Sequence, residues 1–281
     1  MGETTPTQPR EIPAGAFNEA ATKTARKKTG LFTHDLPRYS VRAILAGAYL
    51  TLGTAFAAVG GAAAEKVAPG TGAFVFGMLF FIGLASILLL GAELATGTMM
   101  FMCFGASRRE LSWPKALLII VVTTVFNLVG AILVAVVIGQ SAKLGGIGPD
   151  HLLGTLTEGK LTKTPTGIFL EATAANFVVN MAVVGSLLIK DYAGKFFFTQ
   201  FVIGIFVVLG LDHLIANFSL FSLSFFHHRR RTAAPGSSPC ADELGHDFPG
   251  QPAGWWCADR LGVRVAEPRG ERGRAGLPRL A

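Results

Sequence analysis

The sequence predicts an all-α membrane protein, a bundle of hydrophobic helices that crosses the bilayer several times. Three observations predict it. Only 15% of the 281 residues are charged, where a soluble domain carries about a quarter. Hydrophobic residues make up 51% and the mean hydropathy is +0.48, and this apolarity is gathered into runs long enough to cross a hydrocarbon core of about 30 Å. Many of the 34 glycines fall inside those runs, where Gly lets helix backbones approach closely.

Five runs read as spans: residues 41–61, 74–94, 116–139, 168–189 and 196–211. Short apolar pieces, 99–104 and 218–226, follow the second and fifth. The chain divides into a basic arm over 1–38, a transmembrane part over 39–226 and a tail over 227–281. The arm has no apolar h-region, so no signal peptide is expected.

The net charge of +7 would raise nucleic acid as a partner in a soluble protein. Here the basic residues flank apolar runs, so no nucleic acid is expected and the charge sets orientation. Lys23, Arg26, Lys27, Lys28 and Arg38 precede span one. Arg108, Arg109 and Lys115 follow span two, and Lys190 and Lys195 follow span four. The positive-inside rule places these segments, and so the N-terminus, in the cytoplasm. Cys103, Cys240 and Cys257 have no metal-ligand or redox spacing. No nucleophile–base pair, metal cluster or phosphate loop is present in supporting context, so neither an enzyme nor a cofactor is expected.

Two spans end alike, in Gly91-Ala92-Glu93-Leu94-Ala95-Thr96-Gly97 and in Gly210-Leu211-Asp212-His213-Leu214-Ile215-Ala216-Asn217. Each has an acidic residue two after a glycine, then an interruption, then more apolar chain. Unwound backbone at membrane depth is tolerated only where protein buries it or it lines a cavity. Paired interruptions in two halves point to a transport site between repeats.

These stretches, with Trp113, Phe126-Asn127-Leu128-Val129-Gly130-Ala131, the segment 176–195, and the spacings Lys195 to His213 and Lys160 to Asn176, resemble the formate/nitrite transporter family over about residues 41–226. The resemblance implies an aquaporin-like inverted-repeat bundle with two broken helices, six spans per protomer, and a homopentamer with one pore per protomer in the bacterial inner membrane. It implies as substrates small anions: formate or nitrite first, hydrosulfide or lactate next. His213 matches the central pore histidine, Thr96 the loop threonine facing it, and Asn176 a pore-lining asparagine. Phe80 and Phe206 match the outer constriction and Leu94 the inner one, while Ala95 departs from a bulky aromatic in some members. Lys160 and Lys195 match lysines near the two mouths. Glu171 has no counterpart role.

An ionisable side chain inside a span is costly and functional by default, and a bare anion pays heavily to enter a low-dielectric constriction. The anion at His213 is therefore either protonated or held by a charge-assisted hydrogen bond. Other roles stay open at this point. Thr96 donates to substrate or back-bonds a helix carbonyl. Asn176 lines the pore or bridges helices. Phe80 and Phe206 are constriction or core, and Lys160 and Lys195 gather anions or are solvated. Glu93 and Asp212 cap a half-helix or pair with a lysine.

The resemblance also implies a sixth span with a Gly-Asn-x-x-Gly-Gly stretch, the repeat mate of 126–131. None is present. The tail is rich in Pro, Gly, Arg and Ala and reads as disordered. Read one base later, Gly250-Gln251-Pro252-Ala253-Gly254-Trp255-Trp256 can encode Gly-Asn-Leu-Leu-Gly-Gly-Gly. The tail is therefore expected to be a frameshifted sixth helix, shifted between about 226 and 239, and the nucleotide sequence decides it. Two alternatives to an anion pore follow, a truncated protein that does not conduct and a neutral-solute pore.

Overall fold

The computed structural model describes residues 15–141, 144 and 151–233, with the backbone alone for Ala16 and 227–233. The part of the tail beyond 233 lies outside the described residues. Every element within them is helical: α1 (Ala16–His34), α2 (Leu36–Val67), α3 (Gly72–Leu90), α4 (Ala95–Ser107), α5 (Trp113–Ile138), α6 (Leu152–Leu161), α7 (Pro165–Leu188), α8 (Tyr192–Val208) and α9 (Leu214–Ala233).

Four helices, α2, α3, α5 and α7, are long and apolar enough to cross a membrane. The fifth expected span is α8, whose 17 residues cover about 25 Å at 1.5 Å per residue. The chain is thus a multi-pass membrane protein, and its outer faces are apolar: Phe56, Val121, Val125, Phe177 and Phe201 are all more than half exposed. Lipid covers such faces at no cost.

Helix ends follow polar signals that an apolarity reading does not see. α2 begins five residues earlier than the apolar run, because the Asp35 carboxylate accepts from Arg38 N at 3.1 Å and caps the first turn. Thr164 and Asp191 cap α7 and α8 in the same way. At the turn between α2 and α3, Glu65 accepts from Gly70 N and Gly72 N at 2.8 and 2.7 Å. Two helices, α1 and α6, lie in segments with no apolar run. α1 packs against α4, burying Ala21 and Ala25 beside Phe101 and Met102.

The helices repeat. A helix of ten or more residues (α1, α6) precedes a long span (α2, α7), then a second span (α3, α8), a break, and a half-helix (α4, α9). Gly91 and Gly210 open the two breaks at φ +69° and +66°, the left-handed conformation that glycine adopts without steric cost. In the first half α5 closes the bundle against α2 and α4. The α2–α5 crossing is backbone on backbone: a Cβ on Gly47 would sit 1.9 Å from Asn127 O, and one on Gly130 1.9 Å from Ile44 O. Among the described residues the second half has no mate for α5. Twelve residues of α2 are buried but only five of α7.

Candidate functional site

The two breaks bring their half-helices together at His213 and Thr96. His213 is 4% exposed and Thr96 2%, and Thr96 Oγ1 lies 2.5 Å from His213 Nε2. The other ring nitrogen, Nδ1, accepts from Ala216 N at 3.2 Å, capping the first turn of α9. An acceptor nitrogen carries no hydrogen, so in the neutral ring the proton is on Nε2. This network assigns the tautomer: Nε2–H donates to Thr96 Oγ1, and the threonine's own hydrogen is left free for a third group.

Aromatic rings flank this pair. The Phe206 ring centroid is 5.7 Å from that of His213 and 6.2 Å from that of Phe80, and Phe76 stacks on Phe80 at 5.9 Å. Phe80, Phe206 and Leu94 are each 4% exposed and share one core cluster with Ile215. Leu94 is the extended residue immediately before α4.

Each break is braced by one carboxylate and two cations. Glu93 takes Lys28 of α1 as its ion-pair partner and has Arg42 Nη2 at 3.4 Å. Lys28 also reaches Thr98 Oγ1 at 3.3 Å, and Arg42 donates to Gly91 O. On the other side, Asp212 has Lys160 Nζ at 3.3 Å and Lys163 Nζ at 2.9 Å. Of the two readings left open for Glu93 and Asp212, the lysine pairing is therefore the one observed. Buried carboxylates need such partners because desolvation of a lone charge costs several kcal/mol.

Asn127 holds the first break from α5. It is fully buried. Its Oδ1 accepts from Ala95 N at 2.9 Å, and its Nδ2 donates to Ala43 O at 2.7 Å and Glu93 O at 3.0 Å. Ala95, at the start of α4, is wholly buried, whereas Leu214, at the start of α9, is 52% exposed. Asn176 lies elsewhere: it is half-buried on α7 and donates to Ala172 O at 2.8 Å in its own helix. Lys195 sits 5.8 Å from the Tyr192 ring centroid.

Lys160, left open between gathering anions and a solvated loop charge, donates to protein. It donates to Gly210 O and Leu211 O at 2.8 Å each, capping the end of α8. Burial pushes its ammonium below the ordinary lysine value, and Asp212 opposes that push. At Lys163 burial also works against the charge, but hydrogen bonds to Glu171 and Asp212 hold it above the ordinary value. Glu171 thus has a partner, Lys163.

Sequence reasoning assigned Lys28, Arg42 and Lys163 no role at the breaks. Asn127 stood in a quoted motif, but its role was not visible. No local pattern ties an arm lysine or an asparagine to a loop 65 or 32 residues away. Among the described residues no group of three or more His, Cys, Asp or Glu could hold a metal.

Comparison with known proteins agrees with this architecture. The family model described as formate/nitrite transporter matches residues 15–244. A probable formate transporter of Methanothermobacter thermautotrophicus is 32% identical over 68% of this chain and 76% of its own. A solved FNT family ion channel aligns with a TM-score of 0.69 and 25% identity over 76% of this chain and 84% of its own. A pentameric formate channel with formate bound aligns at 0.59 and 22% identity over 76% and 79%, which shows a shared fold.

Proposed function

The chain belongs to the formate/nitrite transporter family, and from that premise we propose that it is a pore for small monovalent anions, formate or nitrite first, with His213 at its centre. The observation that carries this is the buried His213–Thr96 pair where two interrupted helices meet. An anion entering there gains the free hydroxyl hydrogen of Thr96, and the Nε2–H of His213 once that hydrogen turns from Thr96 Oγ1 to the anion; both offset part of its lost hydration. The tautomer bears on the two routes open from the sequence. Proton transfer from a neutral Nε2–H ring leaves an imidazolate, and a doubly protonated ring turns Nδ1 into a donor facing Ala216 N–H. Hydrogen-bond donation without transfer is therefore the route this geometry supports.

Phe80 and Phe206 form the outer narrowing in this reading, Leu94 the inner one, and Lys160 and Lys195 mark the two mouths. The pore works as a homopentamer in a bacterial inner membrane with its N-terminus in the cytoplasm. The pentameric neighbour supports the assembly, and the distribution of basic residues supports the orientation. Asn176 lines the pore in this reading with the second amide hydrogen and Oδ1 that its bond to Ala172 O leaves over.

His213→Phe removes the donor and keeps a ring. Formate uptake into proteoliposomes, followed across pH, is expected to fall or lose its pH dependence in this variant. Uptake identical to the parent at every pH would refute the histidine's role.

A second reading, a family member that does not conduct, is favoured by one observation: Leu214 is 52% exposed where Ala95 is fully buried. In that case the tail in place of a sixth helix leaves one wall open to lipid. The same uptake assay separates the two, and resequencing the gene downstream of residue 226 tests the frameshift.

A further inference from the structure

Two lysines at the outer break each make two hydrogen bonds and one further ion-pair contact, to Asp212. Lys160 serves Gly210 O, Leu211 O and Asp212 Oδ1. Lys163 serves Gly210 O at 2.9 Å, Asp212 Oδ2 at 2.9 Å, and Glu171. The partners differ in kind. Backbone carbonyls and Asp212 belong to the break itself, and Asp212 is 4% exposed. Glu171 comes from α7, its side chain is 32% exposed, the most open of the four charged groups, and Lys163 is its one polar partner among the described residues.

Formate presents the same carboxylate as Glu171 without the chain. We propose that Lys163 Nζ is an outer docking point for a permeating monovalent carboxylate, and that Glu171 is a tethered competitor holding that point between passages. This rests on the anion-pore reading above. Exchange leaves Lys163 with three partners throughout: the arriving anion takes the hydrogen that Glu171 held, and Glu171 turns into water from a position already one-third exposed. Lys163 is ion-paired with Asp212, the residue before His213. Glu171 also makes the quartet neutral, two lysines against two carboxylates. Removing its charge leaves the mouth net positive.

The test is the concentration dependence of formate uptake into proteoliposomes by the parent, Glu171→Gln, Lys163→Met and the double variant. Glu171→Gln is expected to lower the half-saturating concentration about two- to tenfold at low salt, the effect of one unit charge close to the docking point. The shift shrinks as salt is raised. Glu171→Asp keeps the charge but falls one methylene short, and is expected to shift the same way by less. Lys163→Met raises half-saturation, and in that background Glu171→Gln has no further effect. An unchanged or raised value in Glu171→Gln, or a drop that persists without Lys163, overturns the proposal. Parent protein without saturable uptake overturns the pore reading and this proposal together; normal parent uptake with unshifted variants overturns this one alone.

Discussion

Replacing Asn127 with alanine tests how the first interruption is held. Asn127 makes three hydrogen bonds of 2.7 to 3.0 Å from a fully buried position. Ala43 O lies inside α2, so it keeps its helical partner when the asparagine is removed. Ala95 N–H and Glu93 O lose theirs, and both lie in a break that has no ladder to return to. Each stranded group costs about 1–3 kcal/mol, so the pair costs about 2–6 kcal/mol. A mid-range loss of about 4 kcal/mol lowers an apparent unfolding midpoint by about 8–16 °C for a domain of this size. Far-UV circular dichroism melts in detergent micelles read this directly. Asn127→Asp keeps the acceptor for Ala95 N but sets a second oxygen against two carbonyls, so it is expected to lose at least as much. If the alanine variant melts within about 2 °C of the parent, the asparagine does not hold the break.

Two further perturbations address the same bundle. Lys28→Met leaves Glu93 buried with only Arg42 at 3.4 Å, a partly compensated charge whose cost approaches the about 3–5 kcal/mol of a broken buried pair; the double variant Lys28→Met/Glu93→Leu is expected to melt higher than the single, and a double that melts lower counts against the pairing. Gly130→Ala places a methyl 1.9 Å from Ile44 O, so α2 and α5 must separate. Overpacking of this kind costs about 1–3 kcal/mol, and a variant whose melt and oligomer profile on size exclusion match the parent would show that the crossing has slack.

The order of spans and the two interruptions were legible because each leaves a local mark. Apolar runs set the spans, and a glycine followed two residues later by an acid marks each break. The polar helices α1 and α6 left no comparable mark, since a 19-residue basic arm and a 10-residue loop segment lack the apolar run on which span reading depends. Glu171, without a role in the sequence, gained one from Lys163 eight residues earlier, across a loop whose path no periodicity describes. Lys160 was legible as a charge, but its partners include backbone carbonyls 50 and 51 residues away.

By itself the sequence determined that this chain lives in a membrane, where it crosses, and where its helices are interrupted. Those properties follow from transfer free energies and backbone sterics, which act residue by residue. Only the tertiary structure decided which nitrogen of His213 carries the proton, which helix clamps each break, and which carboxylate closes Lys163. Each of these depends on hydrogen-bond partners 3 to 117 residues apart, and distance in space between such groups is set by the packed bundle rather than by their order along the chain.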